Sequence, residues 1–304
     1  MRVAARLLSV SPYVLLVLTT LFWSGNFVLG RAVREVFPPL ALSFWRWAAA
    51  LVLILPFVLP HLRTHWPSIR RHWKILTLLS VLGVVNFNSF VYLGLQSTMA
   101  TNAVIMLSIT PVMIVALSFL LLRLPVTRWQ AIGIGVSLAG VLIIVARGDW
   151  QVLFGLSLNQ GDLWILTAVL SWALYSVCLR WRPADLPPLV FLAATIAIGV
   201  PLLAPFYLWE LANGAQLAIS AVTIASIVYV AIFPSLLAFI FWNRAVAELG
   251  ANRTGQFLHL MPAFGAIQSM LFLGERLHDF HLAGISLIAT GIYLATRFRQ
   301  ESAD

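Results

Sequence analysis

The chain has 304 residues, 61% hydrophobic and only 10% charged, with a formal net charge of +9. A water-soluble domain carries about 25% charged residues, so a soluble globular enzyme is excluded. A membrane helix takes about 20 apolar residues, so ten of them leave roughly eight residues per connection, too few for an extramembrane domain.

Apolar stretches bounded by charge predict ten helices. The first covers 12–30 and begins like a signal peptide after Arg2 and Arg6. It runs on through Trp23-Ser24-Gly25-Asn26 without a small-residue cleavage site, so it reads as a membrane helix. The second covers 40–59. The segment after it, Pro60 to Lys74, carries Trp66 and Trp73 among basic residues and is expected to lie as a loop on an anionic membrane surface. Helices follow at 75–94, 102–122, 129–146 and 162–180. The seventh, 189–209, is expected to be interrupted by Pro201 and Pro205. The eighth, 222–243, ends at Trp242, read as an interface anchor, and 254–273 and 280–297 complete the set. The single cysteine, Cys178, cannot form an internal disulfide.

Basic residues orient these helices. With a cytoplasmic N-terminus, 14 Lys and Arg fall inside and four (Arg31, Arg34, Arg147, Arg276) outside, while Arg46 lies within the second helix. Both termini are therefore expected inside, and the excess positive charge is an orientation signal, not a nucleic-acid footprint.

The chain also repeats itself. At an offset of 149, Trp23, Val28, Arg31, Pro38 and Pro39 meet Trp172, Val177, Arg180, Pro187 and Pro188. At 151, Pro111, Gly133 and Gly140 meet Pro262, Gly284 and Gly291. The expected units are residues 1–146 and 161–304, five helices each, joined by a linker at 147–160. Five is odd, so the second unit enters from the opposite side, the inverted arrangement of secondary transporters with a site near the midplane.

Trp23-Ser24-Gly25-Asn26-Phe27-Val28, then Pro38-Pro39-Leu40 and Phe44-Trp45-Arg46, resembles the opening of an EamA repeat of the drug/metabolite transporter superfamily. Leu271-Phe272-Leu273-Gly274-Glu275-Arg276-Leu277 resembles the end of one, although the first repeat has Leu124 where the second has Glu275. The resemblance implies an all-α, ten-helix protein of a bacterial inner membrane. It also implies export of amino acids or related metabolites, aromatic ones included, through a cavity lined by helices 1–4 and 6–9.

Candidate cavity residues follow from position. Pro111 and Pro262 sit inside matched helices, and such interrupted pairs point to a transporter's site. Around them lie Ser108, Gln256 and His259, polar groups that should face the bundle or water. His259 is either a proton-coupling group or a hydrogen-bonded interhelical contact. Asn26, Asn86, Asn88, Tyr92 and Tyr175 add polar groups, with Asn86 and Asn88 about 200° apart on one helix. Trp23 and Trp172 lie halfway along their helices and either line the cavity or fill the core. Arg46 reads as a carboxylate-binding charge or as a snorkelling or paired arginine. The glycines spaced by seven read as a packing stripe.

Absences narrow the chemistry. No phosphate-binding loop and no carboxylate deep in a span is present, so no cofactor, metal or conventional carboxylate relay is expected. The expected partners are a small neutral or zwitterionic solute and the lipid bilayer, without nucleic acid, and a monomer suffices. An uncoupled facilitator, an exporter of drugs or other metabolites, and an intramembrane enzyme are the alternatives. The last lacks a clustered nucleophile and base.

Overall fold

The computed structural model describes residues 10–33, 37–98, 100–149, 151–155, 159–217, 219–273 and 278–297. Among them every regular element is helical. The first half of the chain contributes α1 (Pro12–Ala32), α2 (Pro39–Arg71), α3 (Trp73–Ser97), α4 (Asn102–Leu122) and α5 (Arg128–Ala146). The second contributes α6 (Gln160–Trp181), α7 (Pro188–Ala212), α8 (Ala221–Leu249), α9 (251–273) and α10 (Asp279–Arg297). Eight of these, α2 to α8 and α10, are long and apolar enough to cross a membrane, which makes the chain a multi-pass membrane protein.

Local chemistry sets where the helices begin. Pro12, Pro39 and Pro188 open α1, α2 and α7, where a proline's missing N–H costs nothing. Capping boxes open α5 and α6: Thr127 exchanges hydrogen bonds with Gln130, and Asn159 with Asp162. The α2 N-terminus is held from another helix. The Glu210 carboxylate of α7 accepts from the backbone N–H of Leu40 at 3.0 Å and of Ala41 at 2.7 Å. A carboxylate there satisfies unpaired donors and complements the helix dipole.

Two expectations about the helices are corrected, and one feature is added. The segment 60–71 is not a loop, because α2 runs unbroken for 33 residues with Pro56, Pro60 and Pro67 inside it. At 1.5 Å per residue it is about 50 Å long, so it outruns a core of about 30 Å and its polar end needs no apolar pattern. The Ser68 side chain of this extension hydrogen-bonds Asp185 in the α6–α7 connection and holds that carboxyl below the usual carboxylate range. Pro201 and Pro205 likewise leave α7 continuous over 25 residues. Finally, α3 and α8 are not uniform: Ser80–Asn86 and Ala231–Leu237 are π-helical. The two segments lie 151 residues apart, at the repeat offset. Glu275 and its neighbours Gly274, Arg276 and Leu277 lie outside the described residues.

The glycine stripe does what its spacing suggested. A Cβ on Gly133 would stand 2.5 Å from the Gly291 carbonyl oxygen, and one on Gly140 would stand 2.6 Å from that of Gly284. Only glycine permits this approach. Because 133 faces 291 and 140 faces 284, α5 and α10 run antiparallel.

Candidate functional site

The site is built where α4 and α9 break. Pro111 has no N–H for the Leu107 carbonyl, and the Thr110 hydroxyl takes that oxygen instead at 2.5 Å. Pro262 removes the corresponding bond to the Leu258 carbonyl, and Phe257–His259 tightens into a 3-10 turn. Leu107 and Leu258 occupy equivalent positions, and both line one cavity. Trp23 and Asn26 of α1, Phe87 and Asn88 of α3, Thr110 of α4, Trp172 of α6 and Met261 of α9 complete its wall. Its volume is about 30 Å³, room for one or two waters but not for an amino acid.

An aromatic cluster surrounds this space. The equivalent residues Trp23 and Trp172 meet edge to face, with ring centroids 4.9 Å apart. Such geometry places a ring's positive edge on its partner's negative face. Trp242 packs on both, at 5.2 and 5.5 Å, and is fully buried. Its expected role as an interface anchor is therefore corrected: α8 continues to Leu249, which leaves Trp242 inside the bundle. Trp23 Nε1 donates to the Pro234 carbonyl in the π-helical part of α8 at 3.0 Å. The equivalent donor, Trp172 Nε1, is buried without a hydrogen-bond partner among the described residues.

Behind the cavity lies Arg46, 1% exposed. Its Nε donates to Ser235 Oγ at 2.9 Å. Its Nη1 donates to Tyr92 Oη at 2.7 Å and to Asn88 Oδ1 at 2.8 Å, with Asn26 Oδ1 further off at 3.4 Å. Tyr92 passes its own hydroxyl proton to Asn26 Oδ1 at 3.0 Å. The guanidinium carbon also lies 5.3 Å from the Trp47 ring centre. Among the described residues no carboxylate comes within ion-pairing distance of this cation. Sequence reasoning noticed Arg46 but did not place it in the site. A lone arginine seven residues into an apolar helix was the available signal, and it could not say which way the side chain points.

The other candidates separate into two groups. Trp23, Asn26, Asn88 and Trp172 converge on the cavity, with Tyr92 joined through Asn26. Tyr175 stacks on Trp172 with ring centroids 5.0 Å apart and donates to Asn243 Oδ1 at 2.7 Å. Asn86, which ends the π-helical segment, is only half-buried and does not line the cavity, as its angular separation from Asn88 requires. Ser108, Pro111, Gln256, His259 and Pro262 also fall outside its lining. Ser108 turns its hydroxyl onto its own helix, at the Ile105 carbonyl. Gln256 Nε2 does the same toward Asn252 at 3.3 Å. His259 is completely buried, with Nε2 2.9 Å from the Ser108 carbonyl and Nδ1 2.6 Å from Ser137 Oγ. A carbonyl only accepts, so Nε2 carries a proton, while the single Ser137 hydroxyl proton lies between Nδ1 and the Ile134 carbonyl, 3.1 Å from Oγ. This geometry is an interhelical tie among α4, α5 and α9.

Comparison with known proteins agrees with this architecture. The model of the EamA-like transporter family matches residues 10–146 and again 159–297. The uncharacterized transporter YyaM of Bacillus subtilis is 27% identical, over 93% of this chain and 93% of its own. A probable amino-acid metabolite efflux pump of Salmonella typhimurium is 26% identical, over 92% of this chain and 93% of its own. A solved crystal structure superposes with a TM-score of 0.77 at 18% identity, covering 97% of this chain and 99% of that one. At that identity the superposition speaks for the fold alone.

Proposed function

From the chain's membership of the EamA-like transporter family, we propose that it is a secondary transporter with ten membrane spans, exporting small neutral or zwitterionic metabolites across a bacterial inner membrane. Amino acids, aromatic ones included, are the cargo this reading favours; the Salmonella relative is named for amino-acid metabolite efflux. In it, residues 1–146 and 161–304 are inverted five-helix repeats joined by 147–160, and both termini are cytoplasmic. The antiparallel α5–α10 seam supports the inversion, and the distribution of basic residues supports the orientation.

The observation that carries the reading is the cavity. Its wall joins equivalent residues of both halves, Trp23 with Trp172 and Leu107 with Leu258, at helices broken by equivalent prolines. Inverted-repeat transporters hold their cargo at such a junction, between discontinuous helices. The 30 Å³ space is then a contracted form of the site, and rocking of one set of helices against another widens it to each side in turn. The matched π-helical segments give α3 and α8 equivalent points at which to bend, as such segments often do at functional sites.

Counterflow in proteoliposomes tests this. Vesicles loaded with unlabelled amino acids should accumulate the labelled one transiently, and empty liposomes should not. No accumulation across a broad amino-acid panel would sink the amino-acid assignment.

A further inference from the structure

The geometry points to a carboxylate seat in the cavity: Arg46, from behind, turns the amides of Asn26 and Asn88 so that the cavity offers hydrogen-bond donors, and the cargo is recognised by its anionic head. The inference rests on the transporter reading and adds to it the group that binds. It also departs from an even-handed zwitterion site, because it makes the cargo's ammonium dispensable.

A guanidinium can only donate, so whatever oxygen faces it is fixed as an acceptor. Arg46 Nη1 donates its two protons to Asn88 Oδ1 at 2.8 Å and Tyr92 Oη at 2.7 Å, and Tyr92 in turn donates to Asn26 Oδ1 at 3.0 Å. Both amides are thereby locked, with Nδ2 on the side away from the arginine. Asn88 Nδ2 makes only a long 3.5 Å contact with the Gly83 carbonyl, and both asparagines line the cavity. Trp172 Nε1, buried 99% and unpartnered among the described residues, belongs to the same wall. The remaining lining is apolar apart from Thr110, whose proton is committed to the Leu107 carbonyl.

Charge points the same way. Among the described residues the cation has no carboxylate beside it, and its Nη2 makes none of its hydrogen bonds. A buried charge without a counterion is costly in a medium of low dielectric constant. A carboxylate arriving at Asn26 and Asn88 would sit one amide away from that charge and supply the missing negative partner. An ammonium there would meet donors and a like charge. The walls of Trp23, Phe87, Trp172, Leu107, Leu258 and Met261 suit an apolar body behind the carboxylate. Arg46 is on this account a positioning residue, acting through the two asparagines.

The test uses the full-length protein in detergent and four probes that share one skeleton. These are 3-phenylpropionate, L-phenylalanine, L-phenylalaninamide and phenethylamine. The two carboxylates should each raise Tm by roughly 3 °C at ten times their Kd, while the amide and the amine leave it unchanged. Arg46→Gln should weaken carboxylate binding at least about tenfold, and Arg46→Lys should recover part of the loss. Asn88→Asp, which gives Arg46 a carboxylate of its own, should abolish the carboxylate shift in a protein that remains folded. This covers the case in which Arg46→Gln does not fold. Equal stabilisation by amide and carboxylate, retention of the preference in Arg46→Gln or Asn88→Asp, or no shift with either carboxylate would each overturn the seat. A carboxylate shift without counterflow of any amino acid would leave the seat standing and remove the amino-acid assignment; counterflow without carboxylate preference would do the reverse.

Discussion

The two halves of the chain build the same hydrogen bond with the partners exchanged. In the first, Tyr92 of α3 donates to Asn26 of α1 at 3.0 Å. In the second, Tyr175 of α6 donates to Asn243 of α8 at 2.7 Å. Asn26 and Tyr175 are equivalent at offset 149, and Tyr92 and Asn243 at 151, so asparagine and tyrosine have traded helices while the bond survived. What surrounds the bond differs. Arg46 joins the first pair, whereas its counterpart at offset 149 is Thr195, whose hydroxyl turns back onto its own helix at the Leu192 carbonyl. The Asn243 amide nitrogen is left buried without a partner among the described residues. Arg46, unmatched at its equivalent position, adds a buried charge to the first pair alone. The tryptophans differ in the same manner: Trp23 Nε1 has an acceptor, and among the described residues Trp172 Nε1 has none.

The largest effect should come from removing the asymmetry at its source. Arg46→Leu leaves Ser235, Asn26, Asn88 and Tyr92 without their common donor and should abolish counterflow, while stability changes by the balance between those lost bonds, about 1–3 kcal/mol each, and the removal of a buried charge with no carboxylate beside it. Thermal unfolding and counterflow on the same preparation check both.

Next is the seam behind the site, where the halves are most alike. Gly140→Leu drives a side chain into the Gly284 backbone and should destabilise by about 1–3 kcal/mol or more, with Gly284→Leu matching it. A large difference between the two in thermal unfolding would show that the seam is less symmetric than its geometry.

The tyrosine pair sharpens the comparison directly. Tyr175→Phe removes one neutral bond and should cost about 1 kcal/mol; Tyr92→Phe also removes an acceptor from a buried cation and should cost about 2–3 kcal/mol. Equal costs would mean that Arg46 adds nothing to the first pair.

His259→Gln should cost about 1–2 kcal/mol through the lost tie to Ser108 and Ser137, and the pH profile of counterflow should stay unchanged. A shifted profile would restore proton coupling to this residue. Smallest of all, Glu248→Ala breaks an exposed i,i+4 pair with Arg244 and should change stability by no more than about 0.5 kcal/mol.

Parts of the site were legible because they repeat along the chain. Matched Pro111 and Pro262 marked the breaks, and Trp23 with Trp172 marked the centre, since backbone interruptions and bulky rings are properties of position alone. Arg46, Ser235 and Asn243 were not legible as site residues. Their roles depend on side-chain direction, and half a helical turn separates a lipid-facing arginine from one buried against Asn88. Trp242 was misjudged for a related reason: its depth depends on where α8 ends, and a polar helix end outside the bilayer leaves no apolar signature.

Composition and periodicity alone determined that this chain is a multi-pass helical membrane protein with repeated sequence elements, because a backbone in hydrocarbon pairs only within helices or a closed barrel, and continuous apolar runs do not alternate as a barrel requires. They also determined which positions could tolerate contact closer than a side chain allows, as the glycine stripe shows. Only the tertiary structure decided which polar groups meet. Long-range hydrogen bonds such as Arg46 to Ser235, 189 residues apart, depend on how helices rotate and pack against each other. Those rotations also decided that one tryptophan finds an acceptor while its equivalent, beside the cavity, has none among the described residues.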